Sequence, residues 1–527
     1  MTIIYYVDTE TTNSGNFIVG VIYSEQLGKV WTVRSDYALY EFIKNNSGVY
    51  FAHGGGSFDW NFCLQYIKNE DSVEIIFVGS RIFRMKINDS ILYDTIFLMT
   101  SSLDELAKKF GYKKAKIEYE TVNEYSDEIR DACENHTITL AKVHNAFCEF
   151  FGISKLRIFT IAQLSHHILN KEYYKLENIK LESINNEYFR QFYMGGRNEI
   201  YEMKSTGINI YDVNSLYPFS MSFKMPIGDI KESKKISNKS FLINCDVNID
   251  RYIPPIPLRG KGYTRKLEYF NGRYNVDIWR PEFELLNNKE IIKINYVYDC
   301  ETFDNIFEIF VKDMYKKRMS GGELEKFLYK LILNSSYGKF AQNPQREIWT
   351  NQILEKKKIR DMGYIQVYED FNEYKYQNTV IAGYITSVAR SILYKYFEKV
   401  NFDVVYCDTD SIFTRQKLKE TKELGGVKCE GTDGEFMAIQ PKMYMYKSQE
   451  KKVVKGKGFM GFSEQNFIDL MSGKSVKFRR YKKAKQTLRE REFGIIENIK
   501  KLITKYDKRV IEEDGIHTKA LWWNDLV

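Results

Sequence analysis

The stretch VVYCDTDSIF, residues 404–413, places two aspartates one residue apart in a run whose other residues favour a buried strand. Residues i and i+2 of a strand face the same side, so the spacing predicts that Asp408 and Asp410 project together. Two close carboxylates in apolar surroundings repel each other and lose hydration, and both stay ionised only if a cation joins them. The pattern indicates a metal site, although three residues alone also fit a turn or a surface pair.

A third acid stands at the end of another apolar strand, in IYDVNSLYPFSM, residues 210–221. If the two strands lie side by side, Asp212 and the aspartate pair form an oxygen cage suited to two Mg²⁺ ions that also hold substrate phosphates. Metals about 3.5–4 Å apart can stabilise both the attacking and the leaving oxygen of a phosphoryl transfer. These acids alone suit a nuclease as well as a polymerase.

The segment EKFLYKLILNSSYGKFAQNP, residues 325–344, separates the two acidic motifs. At about 100° per residue, one polar stripe of a predicted helix carries Lys326, Lys330, Asn334 and Tyr337. Lysines four residues apart suit a triphosphate, and a tyrosine ring offers a face on which a base can stack. An ordinary amphipathic helix with a basic outer face is the alternative, but together with the acids the stripe predicts nucleotide binding.

The composition of the 527 residues, 43% hydrophobic and 28% charged, is typical of a globular protein. No apolar run approaches the roughly 18 residues that a membrane span needs, and the apolar start meets Asp8 too early for a secretory leader. Seven scattered cysteines without a CxxC pair predict reduced thiols in a cytoplasm. Basic runs in a chain with 39 Tyr and 35 Phe predict nucleic-acid binding, although any single run also fits a solvated helix face.

The chain divides into a front block and a longer back block. Residues 1–110 alternate short strands with turns and are followed by helical patterns, which predicts an α/β or α+β domain. A junction is expected near residues 185–200. Within the front block, YYVDTETT places Asp8 and Glu10 as another same-face acid pair, and HGGGSFDWNF supplies Asp59.

Three motifs, in this order along the chain, carry a resemblance to a known family. DVNSLYP, KLILNSSYG and YCDTDS resemble motifs A, B and C of the family B DNA polymerases, with separations similar to those of the protein-primed branch of small bacteriophages and linear plasmids. The resemblance covers nearly the whole chain. It implies an α/β and α+β multidomain fold: an RNase H-like 3′–5′ exonuclease-type domain, then a right-hand polymerase of palm, fingers and thumb with two inserts.

The resemblance also implies domain boundaries. They are an exonuclease-type domain at 1–190, palm at 191–224 and 379–472, a first, terminal-protein insert at 225–313, fingers at 314–345, a second insert at 346–378 and a thumb at 473–527. The second insert is predicted to be a charged β-hairpin with its turn near MGY. In relatives such inserts contact a priming protein and encircle downstream DNA; a surface loop without either role is the alternative.

Roles in the polymerase half follow from the same resemblance. Asp212, Val213 and Asp410 would bind the catalytic metals, with Asp408 close by. The incoming dNTP would be bound by Val213, Tyr217, Arg318, Lys326, Lys330, Asn334 and Tyr337, with Tyr217 under the sugar. Primer and template would be contacted by Tyr193, Gly195, Gly196, Lys442 and Tyr444.

The match is weaker in the exonuclease motifs. Asp8, Glu10 and Asp59 are the expected metal ligands there, and Thr11 and Phe58 are expected to contact single-stranded DNA. Relatives usually carry an asparagine where this chain has Gly55. Their third motif, Tyr-x-x-x-Asp, aligns here with Ala132 and His136.

Three possibilities follow from that third motif. His136 is a catalytic candidate that could bind metal as a neutral imidazole and leave an altered site. The domain could instead be inactive and only hold DNA, or the acid could come from Asp127 or Asp131. We expect proofreading to be weak or absent.

The residues and the resemblance together predict a DNA-directed DNA polymerase that replicates a linear viral or plasmid genome from a protein primer by two-metal nucleotidyl transfer. The expected cofactor is Mg²⁺, with Mn²⁺ as a substitute. The expected partners are a DNA primer–template, dNTPs and a terminal protein, with a monomeric enzyme in the cytoplasm of a bacterial host and no membrane. A catalytically silent DNA-binding replication-initiation protein, and a nuclease that uses only the front acids, are the alternatives.

Overall fold

The computed structural model describes residues 2–117, 126–179, 186–259, 267–459, 461–501 and 506–523. Most strands in these ranges belong to three larger sheets, and helices cover or connect them. Parallel and antiparallel pairings both occur, so the expected α/β and α+β multidomain class is confirmed.

The front block forms most of a ten-stranded sheet with a parallel centre. Val49–Ala52 pairs in parallel with Ile4–Thr11 on one side and with Ser90–Asp94 on the other. Helix Asp127–Phe150 packs on Ile4–Thr11 and brings the third exonuclease-type motif to that strand. Across the sheet the strands are Lys358–Asp361, Gln366–Phe371, Gln345–Thr350, Val73–Val78, Arg81–Ile87, Ser90–Asp94, Val49–Ala52, Ile4–Thr11, Phe17–Ser24 and Lys29–Val33.

Three strands of this sheet come from the predicted second insert. The hairpin Lys358–Asp361 and Gln366–Phe371 is present, with MGY in its turn as predicted. The sequence did not reveal that the preceding strand, Gln345–Thr350, pairs antiparallel with Val73–Val78 of the front block. Trp349 of that strand is 1% exposed and lies against Phe77, so the insert is part of the front hydrophobic core.

The second large sheet has seven strands and carries the acidic motifs. Its central strand, Lys204–Val213, lies between Val427–Gln440 and Ser411–Thr414. The long helix Thr379–Lys399 packs close to it and begins where the Asn378 side chain accepts a hydrogen bond from the Ile381 N–H. Across the sheet the strands are Lys452–Gly456, Met443–Lys447, Val427–Gln440, Lys204–Val213, Ser411–Thr414, Val404–Asp408 and Asn198–Ile200.

The third large sheet contains most of the predicted first insert, of which residues 260–266 lie outside the described ranges. Its long strands Ser240–Ile249 and Leu267–Trp279 bury an aliphatic core between them and the neighbouring segments. The strand Leu521–Trp522 joins this sheet from the far end of the chain. Across the sheet the strands are Lys231–Ser233, Ile291–Asp299, Ser240–Ile249, Leu267–Trp279 and Pro257–Arg259, with Leu521–Trp522 also beside Leu267–Trp279.

The described residues of the predicted thumb, 473–501 and 506–523, lie in two places. The hairpin Val476–Tyr481 and Ile495–Lys500 contacts the front block through Tyr481 and Phe493. Residues 506–523 instead return to the seven-stranded and six-stranded sheets. Burial explains the division, because Tyr506 and Arg509 are 6% and 1% exposed among those strands.

The remaining elements connect these sheets. Two-stranded pairs join Met225–Ile227 to Thr302–Asp304 and Val510–Ile511 to Thr518–Lys519. The α-helices are Asp36–Asn45, Asp59–Leu64, Leu103–Lys109, Asp127–Phe150, Ile161–Ile168, Asn186–Arg190, Leu216–Met221, Arg280–Phe283, Glu308–Ser320, Glu323–Ser335, Thr379–Lys399, Glu464–Met471 and Ala484–Glu490. Among the described residues, every helix is too short or too polar to span a membrane.

Replacing Trp349 with alanine tests whether the second insert stabilises the front block. The substitution leaves a large cavity under Gln345–Thr350, and we expect a loss of about 3–5 kcal/mol in the free energy of unfolding of the front block. Urea denaturation, monitored by near-UV circular dichroism, measures this free energy of unfolding. Ile353→Ala is the matched control, because Ile353 is 88% exposed and should change stability by less than about 0.5 kcal/mol. Equal effects of the two variants would contradict a shared core.

Candidate active site

The aspartate pair lies at the tip of a tight hairpin. Strands Val404–Asp408 and Ser411–Thr414 pair with Asp408 opposite Ser411, so Thr409 and Asp410 form the turn, with Thr409 at φ +66°. The prediction that both aspartates share one face of a single strand is therefore wrong, because the chain reverses between them.

Neighbouring backbone groups hold this turn on both sides. The Thr409 N–H donates to the Arg197 carbonyl at 2.7 Å, and the Val213 N–H donates to the Asp410 carbonyl at 2.8 Å. Ser411 pairs with Asp212 across the sheet, and this register brings Asp212 beside Asp410 as predicted. Val213 itself is fully buried, and its described contact with the turn is made by its backbone.

The electrostatics of Asp212 and Asp410 differ from those of Asp408. Burial, then the charges of Asp410 and Glu430, raises the pKa of Asp212 to about 7. Burial and the charge of Asp408 also raise the pKa of Asp410. Asp408 already has partners, since its carboxylate accepts from the Asn198 amide at 2.9 Å and pairs with the Lys442 ammonium at 2.5 Å.

This arrangement fits a cation between Asp212 and Asp410. Within the described ranges neither the Asp212 nor the Asp410 carboxylate has an ion-pair partner. Both are partly buried, and the charge of nearby Asp410 helps to raise the pKa of Asp212. Two carboxylate oxygens with access to water are the donors that Mg²⁺ and Mn²⁺ accept. The donor set therefore fits a divalent metal, with Asp408 outside it.

The acids line a cleft of about 710 Å³ that also contains charged residues not singled out from the sequence. Glu430 and Lys451 line it, and Lys428 stands opposite Asp212 in the neighbouring strand. Glu430 pairs with Lys428 at 2.6 Å and with Lys451 at 3.3 Å. The signal for them was weak, because VKCEGTDGE has none of the regular apolar spacing that marks a buried strand.

The predicted nucleotide helix runs from Glu323 to Ser335 beside this cleft. Lys330 is near enough to lower the pKa of both Asp212 and Asp410. Lys326 is exposed and pairs with Glu323 at 3.3 Å, and Asn334 is exposed.

Two other predicted nucleotide contacts lie just outside this helix. Tyr337 follows its end by two residues, rather than lying on it as expected. The Arg318 guanidinium donates to the Ser215 hydroxyl at 2.7 Å, so it reaches the start of the motif A helix.

Tyr217 and Tyr337 form one stacked pair. Their ring centroids are 4.2 Å apart with an interplanar angle of 17°. A Cβ atom at Gly196 would lie 2.8 Å from the Tyr217 hydroxyl and 2.8 Å from the Thr409 methyl group, so only glycine fits between the pair and the turn. The predicted Gly196 and Tyr217 are thus brought together with the acids.

Two arginines hold the backbone of the loop around Gly195. Arg390 donates to the Met194 and Gly195 carbonyls at 2.8 and 2.7 Å, and a guanidinium from Arg259 contacts the Tyr193 carbonyl. Arg390 is buried and paired with Glu282. Sequence reasoning missed Arg390, although a single charge in the apolar helix TVIAGYITSVARSIL was a visible signal.

Lys442 and Tyr444 have different surroundings. Lys442 stands at φ +65° and directs its ammonium to Asp408, at the edge of the cleft. Tyr444 is 5% exposed and packs against Tyr406, Phe413 and Phe436, with part of its surface lining the cleft.

A second acidic cluster lies in the front block. The ligand atoms of Asp8, Glu10 and His136 lie within 4.8 Å of one another. The His136 Nδ1 is 3.0 Å from Glu10 and 3.3 Å from Asp8, and its Nε2 is 2.9 Å from the Ala115 carbonyl. Burial lowers the pKa of His136, but hydrogen bonds to Asp8 and Glu10 outweigh that effect and raise the pKa to about 9. The structure thus places the His136 imidazole between the two acids.

This cluster fits a metal less well than the first. The His136 Nδ1 lies within 3.3 Å of both acids and its Nε2 within 2.9 Å of the Ala115 carbonyl, so both ring nitrogens already have partners where a metal needs a free one. Asp59 is buried and accepts from the Thr9 hydroxyl at 2.6 Å. Asp127 and Asp131 pair with Arg130 on the exposed side of their helix, so neither replaces His136.

The packing near Asp59 explains the missing asparagine. A Cβ atom at Gly55 would lie 2.7 Å from the Ala52 Cβ and 2.8 Å from the Trp60 indole nitrogen. Any side chain there would displace the core, and Ala132 is likewise buried. The glycine at position 55 is therefore required by the packing of this core.

The predicted single-strand contacts Thr11 and Phe58 meet another part of this chain. The Thr11 hydroxyl is 2.9 Å from the Tyr481 hydroxyl, and the Phe58 and Tyr481 ring centroids are 4.9 Å apart. The hairpin that carries Tyr481 therefore covers these two residues.

Comparisons with known proteins bear on the family and the fold. A family model described as DNA polymerase type B, organellar and viral, matches residues 127–421, more than half of the chain. The DNA-directed DNA polymerase of Enterobacteria phage PRD1 is 26% identical over 419 residues, which cover 75% of this chain and 73% of that protein. The DNA polymerase of Bacillus phage phi29 is 28% identical over 297 residues, half of each chain. The solved structure of Phi29 DNA polymerase complexed with primer-template DNA matches with a TM-score of 0.74 and 17% identity, over 95% of this chain and 100% of that chain, and shows the same fold.

The raised pKa of Asp212 predicts that cation binding depends on pH. Without a cation, the stability that protonated Asp212 provides is lost as the pH rises through about 7. Above that pH the Asp212 carboxylate is ionised, so a cation no longer has to displace a proton from it. We expect Mg²⁺ to raise the melting temperature more at about pH 8 than at about pH 6. Thermal unfolding with and without Mg²⁺ measures this difference. Asp212→Asn should abolish the difference between the two pH values. An equal Mg²⁺-induced rise in the melting temperature of the wild-type protein at both pH values would contradict cation binding by Asp212.

Proposed function

This chain belongs to the organellar and viral type B DNA polymerases and is a DNA-directed DNA polymerase, and from that premise we propose that Asp212 and Asp410 hold the metals of its nucleotidyl transfer. The observation that carries this proposal is a pair of adjacent, partly buried carboxylates to which the described residues offer no ion-pair partner, beside a helix that carries Lys330. Asp408 acts differently, since it anchors Lys442 at the edge of the cleft.

The proposed mechanism relies on positioning and charge. When bound by Asp212 and Asp410, Mg²⁺, or Mn²⁺ in its place, supplies the positive charge that favours ionisation of the primer 3′-hydroxyl and stabilises the departing pyrophosphate. Lys330 binds the triphosphate of the dNTP together with Lys326, which precedes it on the helix, and Asn334, which follows it.

The groups beside that helix orient the rest of the nucleotide. Arg318 completes the cationic side through Ser215. The stacked rings of Tyr217 and Tyr337 lie under the sugar and beside the base, and a ring so held restricts how the nucleotide can sit.

The DNA is proposed to lie along the same cleft. The solved relative from phage phi29 is complexed with primer-template DNA and incoming nucleotide substrates, and this chain shares its fold. Lys442 reaches the primer end, and Tyr444 supports that strand from the core. The loop Tyr193–Gly196 contacts the template strand, held in shape by Arg390.

The two inserts are the basis on which we propose protein priming. The first insert is a separate sheet beside the polymerase site, and the second extends the front sheet with an exposed strand, KIRD, that carries two cations. We propose that the first contacts a terminal protein whose hydroxyl replaces the primer end, and that the second contacts downstream DNA. The product would be a linear viral or plasmid genome, copied in the host cytoplasm.

The front domain is proposed to proofread weakly or not at all. The His136 imidazole, in place of a carboxylate, lies within 3.3 Å of Asp8 and Glu10, and Asp59 accepts a hydrogen bond from Thr9. A silent DNA-binding protein is not favoured, because the family and the polymerase acids both indicate an enzyme.

Asp410→Asn tests the proposed polymerase site. The substitution removes the charge of one of the two carboxylates proposed to bind the metals. The rate of dNTP incorporation should therefore fall on the order of 10³-fold, because the activation free energy rises by several kcal/mol. DNA affinity should change less than about twofold because phosphate contacts dominate it. A gel assay on a labelled primer–template with Mg²⁺ and dNTPs measures incorporation. Asp433→Asn is the control, since Asp433 is exposed on the same sheet. Retained synthesis by Asp410→Asn would refute the assignment.

His136→Asp tests the exonuclease proposal. The change replaces the positive charge by a carboxylate, and we expect it to create or raise Mg²⁺-dependent shortening of a labelled primer in the absence of dNTPs by about tenfold or more. The same assay on His136→Asp combined with Asp8→Ala should lose that gain, which excludes a contaminating nuclease. Strong shortening by the wild-type protein that His136→Asp destroys would show instead that His136 serves catalysis.

A further inference from the structure

A group of buried charges lies behind the catalytic turn. Arg197, Glu199 and Arg509 are each at most 1% exposed. The Arg197 Nε donates to Glu199 at 2.7 Å, and the Arg509 Nη1 is 4.0 Å from the other Glu199 oxygen. Buried ions of this kind cost stability unless each is paired, so their presence calls for a role.

Arg197 connects this group to the active site. Its carbonyl accepts the Thr409 N–H at 2.7 Å, the bond that fixes the turn ahead of Asp410. Its guanidinium lies 3.7 Å from the Tyr269 ring centroid and donates to the Pro254 carbonyl at 2.9 Å. The side chain is thus held at three points, and little freedom remains for the carbonyl that holds the turn.

Glu199 and its neighbours share the strand that borders the turn. Asn198–Ile200 pairs with Val404–Asp408 and ends the seven-stranded sheet. The far edge of this strand is covered by the chain end: the Ile200 N–H donates to the Tyr506 hydroxyl at 3.0 Å, and the Thr518 hydroxyl donates to the Ile200 carbonyl at 2.9 Å.

Arg509 holds that chain end together. Its Nε donates to the Thr518 hydroxyl at 2.9 Å, and its Nη2 donates to the Tyr252 and Thr518 carbonyls. One guanidinium therefore joins the end of the chain, the first insert and the charge of Glu199.

We propose that Arg509, Glu199 and Arg197 are positioning residues for nucleotidyl transfer, through which residues 506–518 hold the Thr409–Asp410 turn in its metal-binding geometry. The inference rests on the proposed function of Asp410. Residues 506–518 then act on the reaction without touching substrate. Disrupting their contacts weakens metal binding and slows the chemical step more than it changes DNA affinity. Small displacements of a reacting group are costly, about 10²-fold for 1 Å, so this linkage has a measurable effect on rate.

Single-turnover incorporation, measured at varied Mg²⁺ and dNTP concentrations, tests the proposal. Arg509→Met keeps the volume of the side chain and removes its charge and donors. We expect its maximal rate to fall about tenfold and its half-saturating Mg²⁺ concentration to rise, with primer–template affinity within about twofold of wild type. Thr518→Val removes one hydroxyl and should produce the same pattern at about threefold, in a protein whose fold is preserved.

Arg251→Met is the matched control. Arg251 is also a largely buried arginine paired with a glutamate, Glu290, but it lies in the first insert and bonds Tyr394 and Leu285 rather than the catalytic turn. It should lower stability and leave the Mg²⁺ dependence unchanged. If Arg509→Met does not fold, Thr518→Val decides.

Three results would overturn the proposal. Wild-type rate and Mg²⁺ dependence in folded Thr518→Val would do so, as would the same shift in Arg251→Met. Absence of Mg²⁺-dependent extension by the wild-type protein would refute the proposed function of Asp410 and this inference together. An active wild type with unaffected variants refutes the inference alone.

Discussion

The pairing of Ser411 with Asp212 is the constraint on which the polymerase site depends. It sets the register between a strand whose last residue but one is Asp212 and a hairpin that turns at Asp410, and a shift of one residue would direct one carboxylate to the opposite face. Two carboxylates are then held against their mutual repulsion. The free energy for this comes from the apolar strands on both sides, since Val213, Ile412 and Phe413 are almost fully buried. Burial of those neighbours therefore holds together two carboxylates whose repulsion the proposed cation would relieve.

Much of the site could be predicted from the sequence, and the reasons for the misses are physical. Asp212, Asp410, Lys330 and Tyr337 come together because each stands next to an apolar pattern that determines its local geometry. The hairpin at Thr409 was missed because CDTDS has none of the glycine or asparagine that usually marks a two-residue turn.

Long-range pairings were not predictable in the same way. The antiparallel pairing of Gln345–Thr350 with Val73–Val78 joins segments far apart in sequence. Nothing in the residues of either strand identifies the other as its partner. The same holds for the chain end: nothing local in YDKRVIEEDGIHTK indicates that Arg509 meets Glu199. The raised pKa of His136 also depends on neighbours that only the fold supplies, Asp8 and Glu10, so the sequence motif alone could not predict it.

The ten-stranded sheet has a consequence for how such an enzyme can change over evolutionary time. Because the second insert contributes three strands to the front domain, neither part is a detachable module. A lineage that no longer needs to excise nucleotides cannot simply discard the front domain, since deletion would expose Trp349 and leave the edge of Gln345–Thr350 unpaired. Substitutions at individual acids remain open to it, and the proposed replacement of an acid by His136 would be of that kind. The architecture thus favours an exonuclease-type domain that loses its chemistry residue by residue while its outline is retained as scaffold.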